Sequence, residues 1–232
     1  MSKNENSKNA QRREFLGALA TGAASLGMAS LLAPLNMEAS PLFKSNSNDD
    51  PDAWFNKIKG KHRVVFDATE PKEVLTFAWP RVYLLTNAAT GTPEKDCSVV
   101  VVLRHNTIPY ALNDAMWEKY KLGEMFKINA PGSTTPATKH PFYKPAPGTF
   151  KFPGVGEVHI GLNELQDSGV MFCACNVALT VYSAAAAGSS GDPAAVYKEW
   201  SSNLLPGVQL VPSGVWGVGR AQEHGCAYIA AG

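Results

Sequence analysis

Four cysteines and five histidines are the residues of this 232-residue chain with the widest chemical repertoire. Cys175 stands out by position, because it ends the apolar run 170–175 (VMFCAC) and directly precedes a helical stretch starting near Val177. A thiol where a strand gives way to a helix meets free backbone N–H groups and the positive end of the helix dipole, and both favour its thiolate. The thiolate is the form that attacks sulfur or carries a persulfide. The competing reading is a small buried residue at a strand end. Cys173 lies on the same strand face, deeper in the sheet, and reads as packing; a Cys173–Cys175 disulfide would strain an extended strand. Cys97 and Cys226 read as buried small hydrophobes.

In an open parallel sheet, ligands bind beyond the carboxyl ends of the strands. The residues following each expected strand therefore form a candidate list. The first strand delivers Asp67 and Glu70, the second Arg104, His105 and Asn106, the third Cys175 and Asn176, and the fourth Ser213. In this scheme Cys175, His105 and Arg104 carry the chemistry, the imidazole and the guanidinium stabilising an anionic sulfur. Asp67, Asn106, Asn176 and Ser213 are the candidate substrate contacts. His105 also reads as a base, a metal ligand or a hydrogen-bonded structural residue. His62, His140, His159 and His224 show no paired spacing and there is no Cys-x-x-Cys, so neither a metal nor any cofactor is expected. No glycine-rich dinucleotide or phosphate loop occurs, and Ser213 sits in VPSGV, a turn rather than a nucleophile elbow.

Positioning these groups requires strands at 62–68, 97–103, 170–175, 208–211 and 226–229, with helices between them. The run CSVVVVL (97–103) has no polar alternation, the pattern of a strand buried on both faces of a parallel sheet. Thr69-Glu70-Pro71 reads as a hydroxyl-capped helix start, with Pro80 as a kink risk further on. Helices are expected over 113–126, 158–168, 177–187, 192–200 and 215–223. The fold class is α/β, a three-layer sandwich on a mainly parallel sheet. Residues 129–156 are rich in Pro and Gly and lack periodicity, but Phe142, Tyr143, Phe150 and Phe152 make them an ordered lid rather than a disordered excursion.

Hydrophobic residues are 45% of the chain, charged residues 18%, and the formal charge is +1, a balance that suits one water-soluble domain. A nucleic-acid partner is not expected, since no basic stripe is present to displace phosphate counterions. At the N-terminus, Gln11-Arg12-Arg13-Glu14-Phe15-Leu16 precedes an uncharged Ala- and Gly-rich stretch over 18–35. This is the layout of a twin-arginine export signal, expected to end near Ala39 and to direct the chain to the periplasm through the twin-arginine machinery. An uncleaved anchor is the alternative, and only then is a membrane involved. Residues 1–39 carry four of the 21 basic and three of the 20 acidic residues, so the remainder is formally neutral. Residues 40–61 read as a linker and 62–232 as the domain.

The runs VVVVLRHNTIPYALNDAMWEKYKLGE (99–124), GLNELQDSGVMFCACNVAL (161–179) and LLPGVQLVPSGVWGVGRAQEHGCAYI (204–229) resemble the DsrE/DsrF-like proteins, in their exported branch. The resemblance covers most of 62–232. It implies a small parallel α/β sandwich and a homo-oligomer. In sulfur-relay members a strand-end cysteine carries a persulfide, and that position falls on Cys175. The relay members are cytoplasmic, and the lid and Asn176 belong to the exported branch. The expected function is therefore an exported persulfide carrier or sulfurtransferase working with a sulfur donor or acceptor protein. The alternative is a non-catalytic periplasmic protein that binds a small molecule under the lid or acts as an oligomeric accessory.

Overall fold

A computed structural model describes residues 50–232. The expected export signal lies outside these residues. Five strands form one sheet: β1 (His62–Ala68), β2 (Cys97–Leu103), β5 (Met171–Cys175), β6 (Val208–Val211) and β7 (Ala227–Ala230). Their order is β6-β5-β2-β1-β7, and every neighbouring pair is parallel. The β-branched run of β2 takes the central place, where it is covered on both faces. A short antiparallel pair, β3 (Lys151–Phe152) and β4 (Gly156–Glu157), stands apart.

The pleat divides the apolar side chains between two cores. Val64, Phe66, Val101, Leu103, Phe172 and Leu210 join the larger one, which includes Phe77 and Leu84 of α2 (Leu75–Ala89), Leu179 of α6 (Asn176–Ala187) and Trp200 of α7 (Pro193–Ser201). Val65, Val100, Val102, Cys173 and Val211 face the smaller one, closed by α8 (Gly214–Glu223) and by Trp54 of α1 (Pro51–Trp54) with Phe55 and Ile58. The chain moves from β1 through β2 and β5 to β6 with its helices on the larger-core face. It then returns beneath the sheet through α8 to β7, on the far side of β1. Connections therefore leave β5 and β6 toward opposite faces, which opens a crevice at their carboxyl ends.

The sandwich on a parallel sheet agrees with the expected fold class. Local boundaries differ for identifiable reasons. The supposed linker is not featureless: residues 51–57 form α1 and a 3-10 turn, because Trp54, Phe55 and Ile58 have a core to fill. Thr69 does not cap a helix, since its hydroxyl donates to the Gly232 carbonyl at 2.8 Å, and α2 begins only at Leu75. The expected helix over 113–126 breaks at Lys121, whose φ of 49° is left-handed, into α3 (Asp114–Tyr120) and α4 (Leu122–Met125). The expected helix from 158 shortens to α5 (Leu162–Asp167). Pro80 sits inside α2 without ending it. In the irregular segment, Phe142 and Phe150 are buried in the larger core. Among the described residues no helix is long and apolar enough to cross a membrane.

Candidate functional site

Cys175 is the last residue of β5 and the N-cap of α6, pairing in register with Val211 of β6 at the edge of the crevice. Its Sγ accepts a hydrogen bond from the Ala178 N–H at 3.3 Å, one of the orphan donors of a twelve-residue helix. Its exposure is 6%, so a partner must enter the crevice to reach the sulfur. Burial pushes the Cys173 thiol well up and that of Cys226 up to about 11, which fits their packing roles.

Arg104, the residue after β2, reaches across the strand ends to Asp67. Nε and Nη2 donate to the two carboxylate oxygens at 2.6 and 2.7 Å, a bidentate pair. The Tyr228 hydroxyl donates to the same carboxylate at 3.0 Å. The hydrogen bond to Asp67 raises the Arg104 pKa most. Leu103 pairs with Ala174 in the β2–β5 ladder, so Arg104 and Cys175 hold the next positions on neighbouring strands. Arg104 Nη1 has no hydrogen bond among the described residues and remains a free donor. Gly214 makes this path possible. A side chain there would place its Cβ 2.5 Å from Arg104 Cβ and 2.6 Å from Cδ, so the guanidinium stem lies against the first residue of α8.

His105 and Asn106 form a second cluster. His105 holds the left-handed φ of 51°, and its Nδ1 lies 3.1 Å from Glu70 Oε1. The Asn106 amide donates to both Glu70 oxygens at 3.1 and 2.8 Å, and its Oδ1 accepts from the Tyr182 hydroxyl. Burial, and then the Glu70 charge, raise the Tyr182 pKa. The described contacts thus tie His105 to Glu70, where the sequence scheme had it beside the thiol. Asn176 is buried and its Oδ1 accepts from Tyr197 at 2.8 Å. Ser213 caps α8 by accepting from the Trp216 N–H at 3.2 Å. The fold therefore gathers Cys175, Arg104 and Asp67, while Asn106, Asn176 and Ser213 hold loops and helix ends.

Tyr228, Tyr182 and Gly214 are site residues that sequence reasoning passed over. Only the VPSG turn gave any signal, for Gly214. Among the described residues no group of three or more His, Cys, Asp or Glu side chains could hold a metal ion.

The fold and site define a parallel α/β sandwich with a strand-end, helix-capping cysteine beside a carboxylate-clamped arginine. No family model matches the chain, and no curated protein does. Among solved structures it is similar to MTH1491, a protein of unknown function from Methanobacterium thermoautotrophicum, at 20% identity and a TM-score of 0.39, covering 73% of this chain and 99% of that one.

Proposed function

We propose that Cys175 is a sulfur-carrying thiol and that the protein is an exported, DsrE-like persulfide carrier or sulfurtransferase. The observation that supports this reading most is the placement of Cys175. It ends a strand where adjacent connections diverge, with a helix N–H on its sulfur and the clamped Arg104 following the neighbouring strand. In the step envisaged, the Cys175 thiolate attacks the outer sulfur of a donor persulfide. The donor S–S bond breaks as a new one forms on Cys175, and the donor leaves as its thiolate, so no external oxidant is needed. The free Nη1 of Arg104 is the group suited to the persulfide anion, and Asp67 and Tyr228 position it. His105 takes part only by releasing Glu70. The same reading includes the twin-arginine signal over 1–39, a periplasmic location, a donor or acceptor protein, and association of several copies of the chain.

Intact mass of the natively purified protein, after exposure to polysulfide and before and after reductant, tests the reading. A reducible gain of one sulfur that is absent from Cys175→Ala is the expected result. A protein that gains no sulfur, or a Cys175→Ala variant that gains as much, overturns it. The 6% exposure of Cys175 and a cavity beneath the lid favour a second reading, a non-catalytic small-molecule-binding protein.

A further inference from the structure

Tyr110 follows β2 in a 3-10 turn (His105–Ala111) and is 1% exposed. Its ring is fixed by aromatic neighbours, edge-on to Phe77 at 5.1 Å and to Phe142 at 5.6 Å, with Trp117 stacked at 6.2 Å. Phenylalanine would satisfy all of that packing. The hydroxyl has no hydrogen-bond partner among the described residues and is not fully enclosed, so it is open to whatever fills the space beside it. Tyr110 lines a cavity of about 410 Å³ at the carboxyl end of the sheet, between the loop after β1 and the irregular segment. That size suits a small organic molecule.

The walls show what kind of molecule. Phe77, Phe142 and Phe150 stack in a column, at 4.3 Å and 21° and then at 5.1 Å and 4°. The last two rings line the cavity, a surface suited to a planar partner. At the rim stand Lys127 and Glu73, both exposed, both at left-handed φ (54° and 47°), and neither with a side-chain partner among the described residues. Their charges cancel, so the rim selects for neither net sign.

The cover is held in place rather than hanging free. Ala137 N–H donates to Ile128 and Ala130 N–H to Thr135, each at 2.9 Å. His140 Nδ1 accepts from Phe142 N–H, and its Nε2 therefore donates to the Tyr110 carbonyl at 2.9 Å.

We infer that this cavity binds a small planar aromatic molecule whose polar ring group hydrogen-bonds the Tyr110 hydroxyl. The inference deepens the second reading above and needs no chemistry at Cys175.

Calorimetric titration of the protein with indole and 4-cresol, and with toluene as a probe lacking a polar group, provides the test. Indole and 4-cresol are expected to bind, and Tyr110→Phe, which keeps the ring packing, to weaken both about five- to tenfold, the worth of one neutral hydrogen bond. Toluene is expected to bind the variant and the wild type alike. Phe150→Leu, which removes a wall ring, weakens all three probes. Cys175→Ala binds them as the wild type does, so failure of the sulfur reading and failure of this one are separable. No binding of any probe, or affinities for indole and 4-cresol that Tyr110→Phe leaves unchanged, would overturn the inference.

Discussion

Asp67 is 4% exposed, and three donors meet its carboxyl group, two from Arg104 and one from Tyr228. A charge so placed orients its partner more than it stabilises the fold, and Arg104 gains a fixed direction along the strand ends. His140 is the opposite case, a buried imidazole kept neutral, with its pKa lowered by burial from 6.5 to about 4. Because the folded value lies below the unfolded one, the unfolded chain takes up the proton first. Stability is therefore complete above about pH 7, falls as pH drops from the unfolded value toward 4, and levels off below it. The loss is on the order of 3 kcal/mol, from about 2.5 pKa units at 1.36 kcal/mol each. Protonation also removes the acceptor for Phe142 N–H, so the lid is the part that loosens. Urea unfolding at pH 7 and pH 4.5 is expected to show this drop, and His140→Asn to flatten much of it; identical pH dependence in the variant would contradict the assignment.

Elements here are aimed by contacts that run between them. The start of α8 approaches β2 closely only because residue 214 has no side chain. Gly214→Ala puts a methyl group into the stem of Arg104, within 2.6 Å of Cβ and Cδ. The stem must shift, and the Asp67 pair with it. Overpacking of this kind costs about 1–3 kcal/mol. Urea denaturation is expected to show a loss of that size, and Asp67→Asn combined with Gly214→Ala to lose less than the sum of the single changes, since both act on one arginine. Additive losses would show that Gly214 acts elsewhere. At the other end of the site, α6 takes its cap from Cys175 itself, so the residue that would carry sulfur also starts the helix whose N–H groups receive it.

On the scale of the whole molecule, β7 ends the sheet beside a band of exposed apolar side chains. Trp79 (40% exposed) and Val82 (48%) of α2 and Ile229 (38%) of β7 line a shallow concavity of about 430 Å³. An open strand edge next to apolar surface is a template for pairing. The occupant proposed is a second copy of the chain, its β7 alongside the first with both apolar bands buried. Light scattering is expected to give a multimer for the wild type, and a smaller species for the double variant Val82→Glu with Ile229→Glu. A monomeric wild type, or an unchanged mass in the variant, would remove this surface as the interface.

Sequence alone determined the strands β1, β2, β5, β6 and β7; runs such as VVVVL cannot be exposed and are too short to be buried as helices. With them came the parallel sandwich and the location of Cys175 at a strand end before a helix, since both follow from residues adjacent in the chain. Tertiary structure decided the rest. Asp67 finds Tyr228 across 161 positions, and His105 finds Glu70 across 35, pairings on which no local periodicity bears. Trp54 and Phe55 leave the linker because α8 offers them a core. Tyr110 looks like any apolar-run aromatic until its ring is locked and its hydroxyl is left over beside a cavity. Backbone propensity and burial act over a few residues and can be read along the chain, whereas hydrogen-bond partners and cavities exist only once distant segments share the same space.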